Sequence, residues 1–221
     1  MPAQDNRPFC AAAPRTGSQG AAFCKRVDHA GSGLARALRF DSALTRRAGV
    51  AARLGPRMTE PGNRIEKKIL LHAPLDRVWG AISQAQRFGA WFGAEFDGTF
   101  VAGARLIATI APTKVDLEVA RSQAPYAGRT LEFVVDRIEP MRRFSFRWHP
   151  FAVEPDIDYA KEPTTVVQFE LAEVPGGTML TIAESGFERL PFARRDKAFA
   201  AHDQGWEAQT GLIEKYLAQT P

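Results

Sequence analysis

Glu184 and His202 are the two groups in this sequence best placed to move a proton. Glu184 is the penultimate residue of the segment TMLTIAES, where Leu180, Ile182 and Glu184 alternate onto one face of a strand. A carboxyl in phase with a dry face has two readings. It is a proton acceptor whose pKa rises on desolvation, or it is a partner for an arginine or a helix N-terminus at a pocket rim. His202 sits in AAHDQGWEAQTGLIEKYL, residues 200–217. It could act as a general acid or base, or orient a ligand hydroxyl. The competing reading is a structural histidine bonded to a loop carbonyl, to Glu184 or to Asp203. Trp148, Phe169, Trp206 and Gln209 fall on the same faces and are the expected walls of a ligand site. Trp91 and Phe92 are expected near its mouth, with Phe92 as a gate.

These groups need a platform and a cover. Phe199, His202, Trp206, Gln209, Ile213 and Tyr216 recur at spacings of three or four, so they form one stripe on a helix from Phe192 to Gln219. At 1.5 Å per residue that helix is about 40 Å long. Gly205 weakens its interior by about 1 kcal/mol relative to alanine. The bare position lets backbone or ligand approach, and Trp206 beside it reaches over a cavity.

The platform is a sheet. RIEKKILLH reads as a strand in which Lys67 breaks the alternation of Ile65, Ile69 and Leu71. APLDRVWGAIS and QAQRFGAWFG read as two short helices, with Pro74 in a first turn and Gly93 at the second stop. AEFDGTF carries the hairpin signal Asp97-Gly98. ARLIATIA, VDLEVA, RTLEFVVDRIEP, RRFSFRWH, TTVVQFEL and TMLTIAES follow as strand candidates. Leu131, Phe133 and Val135, Phe144, Phe146 and Trp148, and Val167, Phe169 and Leu171 mark a dry face opposite a wet one. The interruption PFAVEPDIDYAKEP is too long for a tight turn. Arg194, Arg195 and Lys197 open the last helix, either as a solvated face or as a surface for an acidic partner.

Composition narrows the function. Residues 1–57 hold ten Lys/Arg and three Asp, a net of +7, whereas residues 58–221 carry a net of −3. The folded part is therefore a poor nucleic-acid surface. No stretch reaches the ~20 apolar residues of a membrane helix. Both cysteines, Cys10 and Cys24, lie in the front segment, which removes disulfides, cysteine–zinc sites and iron–sulfur clusters from the body. His149 with Asp156 and Asp158 is too sparse a set for a metal, and GxGxxG and GxxxxGK[ST] are absent. No metal and no cofactor are expected, and the expected location is the cytoplasm. Two parts are expected: residues 1–60 as a disordered basic extension and 61–221 as the folded domain. The extension is open to three explanations: a targeting peptide, a basic arm for an anionic partner, or a segment upstream of a start at Met58.

APLDRVWGAIS with FGAWFG, RRFSFRWHP, GGTMLTIAESGF and HDQGWEAQTGLIEKYL, taken in order, resemble the SRPBCC superfamily of START-related proteins over residues 63–219. The nearer similarity is to the branch that resembles the activator of heat-shock-protein-90 ATPase homologue. The resemblance implies an α+β helix-grip fold: a curved antiparallel sheet of about seven strands, two short helices, and one long C-terminal helix over a cavity. It implies a small hydrophobic or aromatic ligand in that cavity. The alternatives are a co-chaperone-like module with a chaperone or other protein partner, and a polyketide cyclase-like enzyme using His202 or Glu184. Some relatives carry the name vanillate demethylase subunit. That chemistry needs a flavin, a nicotinamide site and an iron–sulfur centre, for which the body has no cysteine.

Overall fold

The computed structural model describes residues 63–152, 154 and 157–220. The front segment, and with it the boundary at residue 60, lies outside the described residues. Seven strands form one antiparallel sheet: β1 (Arg64–Leu71), β2 (Ala94–Phe96), β3 (Arg105–Ile110), β4 (Thr130–Glu139), β5 (Arg143–Trp148), β6 (Thr165–Val174) and β7 (Gly177–Ser185). Their order across the sheet is β1-β7-β6-β5-β4-β3-β2. Helices α1 (Leu75–Ser83) and α2 (Ala85–Phe92) follow β1, α3 (Leu117–Gln123) lies between β3 and β4, and α4 (Phe192–Gln219) ends the chain. The curved sheet, the paired short helices and the long terminal helix make the α+β helix-grip architecture that the sequence implies.

Strand alternation decides which face is dry. Phe133 and Val135 of β4, Phe144, Phe146 and Trp148 of β5, Val167, Phe169 and Leu171 of β6, and Leu180 and Ile182 of β7 are all buried. A register shift between Val135 and Arg137 lets Asp136 face outward, where it accepts hydrogen bonds from Ser145 and Arg147. Helices α1, α2 and α4 cover the dry face. Phe88 of α2 is wholly buried, and its ring lies 4.8–6.3 Å from those of Trp91, Phe92, Phe96, Phe100, Phe144, Phe146 and Phe169. Lys67, the residue that breaks β1's alternation, points toward α4 and pairs with Asp203 (2.9 Å) and Glu207 (3.2 Å).

Two glycines let α2 turn back into the sheet. Gly93 stops α2 in a left-handed conformation (φ 91°), which any side chain would strain. A Cβ on Gly89 would sit 2.1 Å from the carbonyl oxygen of Ala94, so only glycine allows β2 to start there.

Three local expectations are corrected. VDLEVA is not a strand. Asp116 accepts from the amides of Glu118 and Val119 and caps α3, and this N-cap overrides a short alternating pattern. Asp97-Gly98 does not make a two-residue hairpin, because residues 97–104 join β2 to β3 and the Asp97 carboxylate accepts from Ile107 N instead. Pro74 is the N-cap of α1 rather than a residue of its first turn.

Candidate functional site

Glu184 lies at the inner face of β7 with no exposed surface. Four donors converge on it from three elements. Trp148 Nε1 on β5 (2.8 Å) and Thr165 Oγ1 on β6 (2.5 Å) donate to Oε1. Trp206 Nε1 (2.6 Å) and His202 Nδ1 (2.8 Å), one turn apart on α4, meet Oε2. Burial pushes the Glu184 carboxyl up. The hydrogen bonds from His202, Thr165 and Trp206 outweigh burial and hold it below its ordinary value of 4.5. The expectation of a raised pKa, and that of a rim position beside an arginine or helix N-terminus, are both replaced by this enclosed carboxylate.

The tautomer of His202 follows from its second partner. The backbone N–H of Phe151 donates to His202 Nε2 at 2.9 Å. Nε2 must therefore carry a lone pair, the proton sits on Nδ1, and the ring is the neutral donor that Glu184 needs. Phe151 itself is buried with φ 51°, an uncommon left-handed conformation for an aromatic residue. Its carbonyl accepts from Arg194 (3.2 Å) and Tyr159 (3.4 Å). Arg194 also bonds the carbonyl of Pro150 (3.0 Å) and the carboxylate of Glu162, and its guanidinium lies 4.9 Å from the centre of the Tyr159 ring. Only 8% of Arg194 is exposed, so it is an internal clamp on the loop after β5 rather than part of a solvated face.

Beside this hub, Phe92, Trp148, His202, Trp206 and Gln209 line a crevice between sheet and α4 that has no room for a water-sized sphere. It is smaller than the several hundred Å³ of an open ligand cavity, because large rings fill the space. Trp148 and Trp206 lie 5.9 Å apart, and Phe92 lies 6.1 and 6.3 Å from them. Gln209 donates through Nε2 to the carbonyl of Phe92 (3.3 Å), while its Oε1 is buried and has no partner.

Five of the eight expected site residues thus meet at the crevice, and Glu184 ties three of its walls together. Phe169 packs against Trp206 at 5.8 Å without joining the lining. Trp91 is turned toward α1, where its Nε1 donates to the carbonyl of Ala81. Thr165 and the Phe151 amide were missed. Thr165 had a signal, since it alternates with Val167 and Phe169 onto the dry face; a backbone amide in an irregular loop had none. Among the described residues no group of three or more His, Cys, Asp or Glu side chains could hold a metal ion. Among them, too, no helix is long and apolar enough to cross a membrane.

Residues 72–218 match the family model described as activator of Hsp90 ATPase homolog 1-like protein. Solved structures share the fold. The protein MLL2253 from Mesorhizobium loti is 22% identical, with a TM-score of 0.53 over 72% of this chain and 98% of that one. A protein from Arthrobacter aurescens is 15% identical, with a TM-score of 0.54 over 72% and 88%. DynU16, from the dynemicin biosynthetic locus, is 24% identical, with a TM-score of 0.51; the alignment covers 72% of this chain and 48% of DynU16. Among curated proteins none matches the sequence.

Proposed function

The chain belongs to the activator of Hsp90 ATPase homolog 1-like family, and from that premise we propose that its domain binds a small apolar or aromatic molecule between the sheet and α4. The observation that carries this reading is the crevice under Trp206, whose walls are two indoles, the Phe92 ring, His202 and Gln209. A few polar groups among large apolar walls are the usual make-up of a small-molecule site. The crevice is closed, so binding requires its walls to part.

Binding is favoured over catalysis. Both oxygens of Glu184 and both ring nitrogens of His202 are committed to internal partners. A general acid or base must reach the substrate's proton directly or through one water, and here neither group is free to do so.

Native mass spectrometry of the protein purified from its own cells tests the proposal. The expected result is a bound mass of a few hundred daltons that leaves on mild activation. Quenching of tryptophan fluorescence on re-adding the released compound, weakened in Trp148→Phe and in Trp206→Phe, would place it near those two of the four tryptophans. A second reading has its own support. The core is packed tightly enough to exclude water, as in a module that works through its outer surface on a chaperone or another protein. If the purified protein carries only its own mass, and no apolar compound shifts its melting temperature, the ligand reading fails and this one replaces it.

A further inference from the structure

The polar groups around the crevice are not equally available. Trp148 Nε1 and Trp206 Nε1 both donate to Glu184. His202 Nδ1 donates to Glu184, and Nε2 accepts from Phe151 N. Gln209 Nε2 donates to the Phe92 carbonyl. The indole and imidazole donors lining the crevice are therefore spent, the Gln209 amide keeps one further N–H, and one acceptor, Gln209 Oε1, is buried and unmet in a residue only 3% exposed. Turning the amide over does not help, because Oε1 would then face the Phe92 carbonyl oxygen.

From this imbalance we propose that the crevice selects neutral aromatic molecules bearing a hydrogen-bond donor, such as a phenolic hydroxyl, and that Gln209 is the residue that sets this choice. The proposal rests on the ligand-binding reading above. A donor placed against Oε1 would satisfy a buried acceptor that otherwise goes unmet. A carboxylate would leave Oε1 unmet, and its charge would meet the buried charge of Glu184. The aromatic body of the ligand would lie against Trp148, Trp206 and Phe92.

The proposal departs from plain hydrophobic capture in a measurable way. In a purely apolar cavity toluene binds better than phenol, because the phenol hydroxyl loses water and gains nothing. Here the order is reversed. The test is a ligand-observed fluorine NMR titration of the whole protein with 4-fluorophenol, 4-fluorotoluene and 4-fluorobenzoate. The expected result is 4-fluorophenol binding about tenfold more tightly than 4-fluorotoluene, the equivalent of roughly one charge-free hydrogen bond, with 4-fluorobenzoate weakest. In Gln209→Met, which keeps the length of the side chain and removes the acceptor, the first two probes should exchange order. Equal or tighter binding of 4-fluorotoluene to the native protein overturns the inference and leaves the ligand site standing. An unchanged preference in the folded variant removes Gln209 as its cause and equally overturns it. If the variant does not fold, the ranking of the three probes on the native protein decides. If none of the three binds at millimolar concentration, the ligand-binding reading itself falls, and this inference with it.

Discussion

Replacing Glu184 by glutamine removes one carboxylate oxygen from a site where four donors converge. The amide nitrogen can take either position. If it replaces Oε2, it faces the N–H groups of His202 and Trp206, and His202 cannot switch tautomer without turning an N–H against Phe151 N. If it replaces Oε1, the Thr165 hydroxyl can rotate to accept, but the Trp148 indole N–H is left unmet. The second arrangement costs less, and it still leaves one buried donor without an acceptor, worth roughly 1–3 kcal/mol. The remaining bonds go to a neutral oxygen and weaken further, since bonds to a charged partner are about twice as strong. Against this stands the relief of removing a buried charge. Because the carboxyl is held below 4.5, the ionised form is the one that the folded site prefers, so relief does not win. We expect Glu184→Gln to lose about 3 kcal/mol of stability, with altered near-ultraviolet tryptophan dichroism. Urea unfolding at neutral pH and again at several acidic values is the assay. A carboxyl with a depressed folded-state pKa stabilises above its unfolded value and loses that contribution as pH falls through the folded one. The gap between native and variant proteins should therefore be full above pH 4.5 and close below it. A loss under about 1 kcal/mol at neutral pH, or a gap that widens in acid, would refute the account of Glu184 as an ionised acceptor for four donors.

Two further predictions concern the frame around the site. Phe88→Ala removes the ring shared by seven aromatic neighbours and should cost about 3–5 kcal/mol in urea unfolding; a loss below about 1.5 kcal/mol would mean that α2 can collapse onto the sheet without it. Lys67→Met should change stability by no more than about 1 kcal/mol, because Asp203 and Glu207 are largely exposed. Burial would lower the Lys67 pKa, but its bonds to Asp203 and Glu207 raise it above 10.5. On the lysine side its contribution is therefore present below pH 10.5 and lost as pH rises through the folded value, and a native–variant gap that stayed unchanged across that rise would contradict the pairing.

The parts of this fold that were legible are those where one local rule acts without rivals. Phe144, Phe146 and Trp148, or Leu180, Ile182 and Glu184, alternate at a period that only a half-buried strand satisfies, and the structure buries each of them. VDLEVA failed because two rules compete over six residues. Its alternation is too short to outweigh the Asp116 cap, and the deciding contacts are distant: Gln123 at the end of α3 bonds the Thr113 amide (2.8 Å) and the Phe92 carbonyl (3.0 Å). The site divides in the same way. That Glu184 and His202 share an interior follows from two independent periodicities, one of two residues and one of 3.6. What they do there depends on Trp148, Thr165 and Trp206, which lie 36, 19 and 22 residues from Glu184, and on a loop amide that no pattern marks. The size of the crevice is the least legible quantity of all. It is the small remainder after several rings are packed between one sheet and three helices, and exchanging a single ring for a smaller side chain would change it by a large fraction of itself. For the same reason the polarity of the crevice tells more about its occupant than its volume does: side chains can move apart to make room, but Gln209 Oε1 remains an acceptor that no neighbour in the lining meets.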